Sequence, residues 1–400
     1  MRFSTQKMAA LLALVTLPAC ELWPYKDAAG NIQHPYTTLD PISDFGQYTH
    51  ELYAMITYIV LAIFVVVSIL MAYTLVRFRD DGSEDLPEQI HGNTQMEIGW
   101  TIAPIFIIIV LIVPTIQTVF KIADAAPQSV TVDGVEKKTV EINVIGKRWW
   151  WAFEYIESGV VTANQFRIPD DRYVSLSITS DTVIHSFWAP RIGGKRDAVP
   201  GRMNRIWFKL TELDLPAGEQ ELIRGECAEY CGEAHSRMLF DVVAMDGPDF
   251  DTWLEEMKTP ATFANASVQS KGETAFTNGG CIGCHAIEGN DLALGIIGPN
   301  LTRFGDRKYA AAGIVDLYPD GSEDQEHARA MLRQWIVNPN SLKPGTTQSA
   351  NASRALDGMN IPLDKNGDGI LSDDEMAAGN FNVDDVVEYL LAMQTTTPLR

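Results

Sequence analysis

Basic residues are scarce in this sequence, where 31 Lys and Arg stand against 52 Asp and Glu and the net charge at pH 7 is -21. Proteins that bind nucleic acid present clustered basic side chains, so this composition argues against nucleic acid as a partner. The acidity instead suits the solvated surface of an exported protein. Cysteine is also scarce, with five in 400 residues, a length that predicts two or three domains.

The few cysteines are grouped. They fall at Cys20, at Cys227 and Cys231, and at Cys281 and Cys284. Each group stands in a motif with its own chemistry, so no cysteine is left over for a structural disulfide.

The run CAEYCGEAHSRM, from Cys227 to Met238, places two thiols, an imidazole and a thioether in one short segment. Cys227 and Cys231 can aim both sulfurs into one site, to which His235 adds a nitrogen. His185, in TSDTVIHSFWAP, supplies a second imidazole from a β-rich segment upstream. Such a ligand set suits copper. A zinc site or a CxxxC disulfide of an exported protein is the alternative.

This run resembles the dinuclear copper A motif of subunit II of the haem-copper cytochrome c oxidases at every ligand position. The resemblance implies that two thiolates bridge two coppers, that each histidine caps one, and that a methionine and a backbone carbonyl are weaker ligands. The implied copper A ligands are His185, Cys227, Glu229, Cys231, His235 and Met238. It also implies that the Glu229 side chain faces a magnesium or manganese site at the interface with oxidase subunit I.

Residues 1–20 carry Arg2 and Lys7 and then the apolar run MAALLALVTLPAC, which is typical of a secretory signal rather than of a spanning helix. Leu17 to Cys20 resembles a bacterial lipobox. We therefore expect cleavage before Cys20 and a lipid anchor on its thiol. Ordinary signal cleavage nearby is the alternative.

Two long apolar stretches follow within residues 21–125, at about 52–78 and 98–120. Each is long enough to cross a hydrocarbon core of about 30 Å. Pro104 and Pro114 are tolerated in a membrane helix, where neighbouring helices satisfy the freed backbone groups. The stretches predict a two-helix transmembrane hairpin, with the tail before it and the chain after it on the same side.

Glu97 immediately precedes the second apolar stretch. Acids are common at helix N-termini because the helix dipole favours them, so a structural role is one interpretation. The resemblance implies another, in which Glu97 is the carboxylate at the cytoplasmic mouth of a proton channel in subunit I.

Residues 126–255 alternate β-branched and polar residues in short runs, which predicts an antiparallel sandwich or barrel. The resemblance implies a β-sandwich of the cupredoxin-like kind that holds copper A. Trp149, Trp150 and Trp151 stand side by side here. Because neighbouring side chains in a strand face opposite ways, at least one ring should be exposed or lie at an interface. By resemblance, electrons enter copper A through Trp149.

A second cofactor motif, CIGCH, presents Cys281, Cys284 and His285 at the spacing of c-type haem attachment. Two thioether links would hold the porphyrin and the histidine would bind iron. The surrounding sequence resembles an all-α class I cytochrome c domain over residues 271–400, joined by a small polar linker at 256–270. Since covalent haem attachment happens outside the cytoplasm, the metal domains should lie on the periplasmic side of a bacterial inner membrane.

The second axial ligand of the haem iron is ambiguous. In such domains KPG is usually followed two residues later by the axial Met, but Gln348 stands there in this chain. We expect Met359 to replace it after an insertion, because Met raises the haem potential as an electron carrier needs. Gln348 and an open iron are the alternatives.

The run DKNGDGILSDDE at 364–375 fits the EF-hand calcium loop at every side-chain position. The expected calcium ligands are Asp364, Asn366, Asp368, Ile370 through its carbonyl, Ser372 and Glu375. With no second loop to pair with it in the sequence, we expect a structural site with Kd about 10⁻⁴ to 10⁻³ M. An acidic surface turn is the alternative.

The order of these motifs predicts a multidomain electron-input subunit of a caa-type oxidase. Electrons from cytochrome c or a quinol-cytochrome c reductase complex would reach haem c, then copper A, then subunit I, where oxygen is reduced to water with proton pumping. Subunit III and membrane lipid are further expected partners. The alternative is a membrane-tethered copper and haem electron carrier or redox sensor without an oxidase partner, although a tether needs only one helix.

Overall fold

The structure is a computed structural model that describes residues 35–79, 82, 89–319, 325–346, 363–366, 368 and 370–396. The expectations for the signal sequence and for Cys20, Gln348 and Met359 concern residues outside that part. They stay predictions.

Two long helices open the described chain: α1 (Asp44–Arg77) and α2 (Thr94–Ala123), which contact each other. Each has an apolar window long enough to cross a membrane, and neither window is buried inside the protein. Both helices begin earlier than their apolar stretches. Side-chain caps extend them, since the Ser43 side chain accepts from the Gly46 amide and the Asn93 side chain from the Met96 amide.

A β-sandwich follows the helices. Its strands are β1 (Ser129–Val132), β2 (Val135–Lys138), β3 (Val140–Lys147), β4 (Trp150–Tyr155), β5 (Val161–Ala163), β6 (Gln165–Pro169), β7 (Val174–Ser180), β8 (His185–Trp188), β9 (Arg196–Ala198), β10 (Asn204–Phe208), β11 (Gln220–Cys227) and β12 (Leu239–Met245). One sheet has the order β10-β7-β3-β4-β5 and the other β6-β12-β11-β8-β9, while β1 and β2 form a separate hairpin.

The expectation of a purely antiparallel sandwich is wrong for one pair in each sheet. Strands β3 and β7 pair in parallel, and so do β6 and β12. Neither pair is adjacent in the chain, so a crossover rather than a tight hairpin joins its strands and permits the parallel direction.

Aromatic side chains fill the space between the two sheets. Phe153 stacks on Phe166 with ring centroids 4.3 Å apart, and Phe187 stacks on Phe240 at 4.4 Å. The fully buried Trp151 meets Phe187 and Phe240 edge-on. Such pairs each add about 0.5–1.5 kcal/mol beyond simple burial. The packing fixes the ends of β8, β11 and β12 relative to one another.

The three consecutive tryptophans differ in position. Trp150 and Trp151 begin β4, with Trp151 buried and Trp150 partly buried, whereas Trp149 lies in the turn before the strand. The alternation expected of a strand therefore holds for the last two. Trp149 is placed by the turn instead, and it too is partly buried.

The rest of the chain is mainly helical: α3 (Gly247–Met257), α4 (Ala266–Asn278), α5 (Gln325–Val337), α6 (Pro339–Leu342), α7 (Asp373–Ala378) and α8 (Val383–Ala392). Helix α3 packs Phe250 and Trp253 against Tyr155 of the sandwich. The segment between α3 and α4 is not helical and lies within the predicted linker. We call the described residues from 266 to 396 the C-terminal unit.

The C-terminal unit has its own core, in which α4 and α5 both contact α8. Phe276, Leu332 and Leu390 are buried there. It also contains a small hairpin, β13 (Tyr309–Ala310) and β14 (Val315–Asp316). The all-α expectation missed this hairpin, because two-residue strands leave no periodic signal.

Candidate metal centre

The candidate metal centre lies where strands of one sheet end. Strand β8 begins at His185 and β11 ends at Cys227, after which a loop leads through Met238 into β12. The base of this loop is closed by backbone hydrogen bonds, from the Cys227 amide to the Met238 carbonyl at 3.0 Å and from the Ala228 amide to the Ser186 carbonyl at 2.9 Å. The strand ladder therefore brings His185 to a loop that is distant in sequence.

The expected ligand side chains converge. The Cys227 Sγ lies 3.9 Å from the Cys231 Sγ and 3.7 Å from the His185 Nδ1. The Cys231 Sγ lies 3.6 Å from the His235 Nδ1 and 3.9 Å from the Met238 Sδ. Both cysteines are free and buried. Each sulfur thus has one imidazole nitrogen beside it.

These separations fit metal binding. Metal bonds of about 2.3 Å to sulfur and about 2.0 Å to nitrogen put neighbouring ligand atoms of a tetrahedral site about 3.5 Å apart. Across the described residues, His185, Cys227 and Cys231 are the one group of three His, Cys, Asp or Glu side chains whose ligand atoms all lie within 4.8 Å of one another. Two thiols, two imidazoles and a thioether form a soft donor set, which favours copper over hard cations.

Glu229 presents its backbone and its side chain to different surroundings. Its carbonyl oxygen lies 3.2 Å from the Cys227 Sγ. Its side chain is exposed. This arrangement is compatible with the two roles expected of it, a backbone ligand inside the loop and a carboxylate that faces outward.

The two sulfurs interact strongly enough to separate their pKa values. The hydrogen bond with Cys231 lowers the pKa of Cys227, and the same contact raises the pKa of Cys231. A metal ion binds thiolates rather than thiols, so loading of this site must release a proton.

Trp151 and Gly146 pack against the His185 ring and fix its position. His185 is fully buried, and the Trp151 ring lies edge-on at 5.8 Å between ring centroids. Gly146 approaches so closely that a Cβ there would lie 2.8 Å from the His185 Cδ2. Sequence reasoning missed Gly146, although a glycine inside a strand signals the close approach of another group.

Trp149 contacts the ligand loop directly. Its indole Nε1 donates to the Cys231 carbonyl at 2.9 Å. Its ring lies against Gly232, where a Cβ would be 2.9 Å from the Trp149 Cζ2, and Gly232 has φ +121. Only glycine suits that position, because the backbone is left-handed and the ring is close.

The CIGCH motif lies in the C-terminal unit, next to the α4 helix. The His285 Nδ1 is 2.7 Å from the Pro299 carbonyl oxygen. A carbonyl only accepts, so Nδ1 carries the proton and Nε2 keeps the lone pair that a metal would use. Burial lowers the pKa of His285, which favours the neutral ring. Cys281 and Cys284 are both free.

An exposed apolar patch follows the motif. It comprises Leu292, Leu294, Ile296 and Ile297, whose exposed fractions run from 48% to 82%. Large apolar side chains in such a group usually mark a surface that another apolar group covers. The patch and His285 together fit attachment of a large apolar cofactor.

The acidic loop at 364–375 is held by its own backbone contacts. The Glu375 carboxylate accepts from the amides of Lys365 and Asn366, and it forms a capping box with Ser372 at the start of α7. The bonds from Ser372 help to lower the pKa of Glu375 to about 2. In the described part of this loop, no three His, Cys, Asp or Glu side chains bring their ligand atoms within 4.8 Å of one another.

Glu97 lies in the first turn of α2 and is exposed. Its Oε1 accepts from the Asn93 amide at 3.2 Å. The structural interpretation of Glu97 as a capping acid therefore has a direct basis.

Sequence reasoning also missed Lys343. It lies in the KPG run, is 4% exposed, and its Nζ donates to the Trp149 carbonyl at 2.8 Å. Burial lowers the pKa of this amine to about 7. A lysine beside Pro and Gly in a loop is ordinarily a surface residue, so the sequence carried no signal for this contact.

Comparison with known proteins gives concordant matches along the chain. Residues 42–118 match the family described as cytochrome C oxidase subunit II, transmembrane domain, and residues 158–245 match cytochrome C oxidase subunit II, periplasmic domain. Cytochrome c oxidase subunit 2 of Alkalihalophilus pseudofirmus is 34% identical over 321 residues, which cover 78% of this chain and 85% of that protein.

A second relative agrees with these matches. Cytochrome c oxidase subunit 2 of Bacillus subtilis is 31% identical over 326 residues, covering 80% of this chain and 88% of that protein. The crystal structure of the periplasmic domain of subunit II of cytochrome oxidase of Bradyrhizobium japonicum shares 27% identity. The matched region covers 30% of this chain and 93% of that structure, with a TM-score of 0.27.

Proposed function

This chain belongs to the cytochrome c oxidase subunit II family, and we propose that it is the electron-input subunit of a caa-type aerobic terminal oxidase. Family membership makes it a subunit of an oxidase, with two transmembrane-type helices and a domain of the periplasmic kind. The electron-input role is supported by one observation: two cysteines, two histidines and a methionine converge at one loop.

The proposed occupant of that loop is dinuclear copper A. His185, Cys227, Glu229 through its carbonyl, Cys231, His235 and Met238 would hold it. When bound, the two coppers would supply a one-electron relay that spreads the change of charge over both ions. The chain's own contribution is to bury both sulfurs, to fix His185 against Trp151 and to tie Trp149 to the loop.

The C-terminal unit is proposed to carry covalent haem c on Cys281 and Cys284, with His285 on the iron. The proton that the Pro299 carbonyl holds on Nδ1 supports His285 as a ligand through Nε2. The apolar patch that begins at Leu292 supports an apolar group beside it. Met359 remains the proposed second axial ligand, with Gln348 as the alternative.

Two further cations belong to the proposal. The template match at 364–375 supports calcium. In the same loop the Glu375 carboxylate accepts hydrogen bonds from the Lys365 and Asn366 amides, which brings it towards the start of the loop. The exposed Glu229 side chain supports a magnesium or manganese ion shared with subunit I. Family membership supports subunit I itself as a partner.

We also propose the membrane in which the chain lies, its partner subunits and its electron donor. The helices would lie in a bacterial inner membrane with the metal domains on the periplasmic side, beside subunit I, subunit III and lipid. Cytochrome c or a quinol-cytochrome c reductase complex would donate electrons, and subunit I would reduce oxygen to water with proton pumping. Membership of the subunit II family, with a domain of the periplasmic kind after two transmembrane-type helices, supports this setting.

Glu97 is proposed to stand at the mouth of a proton channel in subunit I. Its exposure at the start of α2 supports this role, since a partner can reach it. Glu97→Gln keeps an oxygen that can accept from the Asn93 amide while the charge is removed. Slower oxygen consumption with intact metal spectra supports the role, whereas unchanged oxygen consumption rules it out.

The experiment that tests the proposed function is purification of the tagged full chain from membranes of cells that make it. A large multi-helix subunit should co-purify, and the preparation should consume oxygen with reduced cytochrome c as donor. A chain that is always isolated alone, with both metal spectra intact and no oxygen consumption, would establish the membrane-tethered carrier instead.

A further inference from the structure

A lysine of the C-terminal unit is buried against the turn that carries Trp149. The Lys343 Nζ donates to the Trp149 carbonyl at 2.8 Å and to the Ala311 carbonyl at 3.3 Å. An amine is costly to bury unless it is hydrogen-bonded. Because one acceptor belongs to the sandwich and the other to the C-terminal unit, Lys343 links the two.

The loop that presents Lys343 is itself held in one conformation. The Lys343 amide donates to the Pro339 carbonyl at 2.9 Å, and the Thr346 hydroxyl donates to the Lys343 carbonyl at 2.5 Å. Next to it, Gly345 has φ +85 and meets Glu233 so closely that a Cβ would lie 2.9 Å from the Glu233 Cβ. The loop therefore reaches the metal-ligand loop with little freedom to shift.

A second contact lies at the other end of the ligand loop. The Leu239 amide donates to the Ala312 carbonyl at 3.1 Å, and Arg224 donates to the Gly313 carbonyl at 2.9 Å. Ala311, Ala312 and Gly313 have φ of 54, 60 and 82. Alanine rarely adopts such angles, and a turn of this kind persists only where its surroundings fix it.

We propose that Lys343 and the turn at 311–313 hold the C-terminal unit in one orientation on the metal-ligand loop, so that this unit covers the turn that carries Trp149, the point of electron transfer. Lys343 is a positioning residue, because it acts through Trp149. The identity of the cofactors rests on the proposed function, whereas the orientation of the C-terminal unit rests on these contacts. An external electron donor then meets the C-terminal unit before it meets Trp149.

The direct test is hydroxyl-radical footprinting of Trp149 in the purified full chain, read by mass spectrometry. Wild-type Trp149 should be protected from oxidation. Lys343→Met removes the donor to two carbonyls and keeps the apolar stem, so the oxidation rate of Trp149 should rise several-fold. Lys343→Arg keeps a donor and should restore protection at least in part. Lys271→Met, at an exposed lysine of α4, is the matched control and should change nothing.

A glycine pair provides a second test that leaves the lysine in place. Gly345→Ala puts a Cβ against Glu233, whereas Gly218→Ala puts one into open space at nearly the same backbone angle, φ +83. Both substitutions carry the strain of a left-handed backbone. Only Gly345→Ala should expose Trp149 to oxidation.

The functional readout is the rate of electron transfer from haem to copper after a light pulse. In Lys343→Met this rate should fall by about tenfold or more, since small displacements of reacting partners cost orders of magnitude in rate. The absorption spectra of both centres should be unchanged.

Trp149 that stays protected in Lys343→Met and Gly345→Ala, or an unchanged transfer rate, overturns the positioning role. Wild-type protein without copper or haem spectra overturns the proposed function instead. The footprinting comparison then still decides whether Lys343 keeps the C-terminal unit over Trp149.

Discussion

The indole nitrogen of Trp149 donates a hydrogen bond of 2.9 Å to the backbone carbonyl of Cys231, a residue whose sulfur points into the candidate metal centre. The position of the aromatic ring and the shape of the ligand loop are therefore coupled. A change in Trp149 should affect how electrons reach the centre more than whether metal binds.

Trp149→Phe tests whether this residue affects electron transfer rather than metal binding. Phenylalanine keeps an aromatic ring but cannot donate to Cys231, and loss of one hydrogen bond costs about 1 kcal/mol. We expect near-normal copper content and a slower reduction of the copper centre, measured by rapid mixing with a reduced donor. Trp150→Phe, in the adjacent strand position, is the control. Equal reduction rates in wild type and Trp149→Phe would show that the ring plays no part.

Gly298 offers a test of His285. A Cβ at Gly298 would lie 2.6 Å from the His285 Cε1. Gly298→Ala should therefore displace the ring and reduce the haem content of the purified protein or shift its absorption spectrum. Gly283→Ala, in the same motif but with open space around it, should leave both unchanged. A normal spectrum in Gly298→Ala would contradict the assignment of His285 as a haem ligand.

The sequence predicted the local part of the site better than the long-range part. Cys227, Cys231, His235 and Met238 lie in one short run, so their spacing alone restricts where they can meet. His185 is different, because it reaches them only through the pairing of β8 with β11. The sequence could offer His185 only as a candidate second imidazole, because its distance from the loop depends on that strand pairing.

Contacts between the β-sandwich and the C-terminal unit could not be predicted from the sequence. Lys343 and Trp149 are 194 positions apart, and no periodic pattern links them. Helix ends were also misplaced for a physical reason. Hydropathy marks where apolar residues begin, whereas α1 begins at its Ser43 cap, before the apolar stretch.

The buried carboxyl of Asp241 predicts a pH dependence. Burial raises the pKa of Asp241 from 3.8 to about 6, despite Arg224 at 2.7 Å. The folded state then binds this proton more tightly than the unfolded state. Its contribution to the free energy of unfolding is fully present below about pH 4 and is lost as the pH rises through about 6.

Asp241→Asn should remove this dependence, and hydrogen exchange of peptides from β12 at pH 4 to 7 measures it. In wild type, protection of these peptides should fall as the pH rises, after correction for intrinsic exchange. Asp214→Asn, at an exposed acid, should behave as wild type. Parallel pH profiles for wild type and Asp241→Asn would refute the prediction.

Glu375→Gln tests the acidic loop. The amide keeps one oxygen that can accept from the Lys365 and Asn366 amides, but it removes the charge and the two-oxygen ligand that calcium requires. Calorimetric titration of the full chain should give a Kd of about 10⁻⁴ to 10⁻³ M, weakened by about tenfold or more in Glu375→Gln. Asp374→Asn, outside the ligand positions, should bind as wild type. Absence of heat in wild type would identify an acidic surface turn.

The central claim is that one loop of this oxidase subunit holds dinuclear copper, and the most direct test is elemental analysis of the purified full chain. We predict two coppers per wild-type chain, with loss of the dinuclear centre in both Cys227→Ser and Cys231→Ser, since serine cannot provide the bridging thiolate. Zinc in place of copper, or a wild-type chain without copper after reconstitution under reducing conditions, would contradict the account.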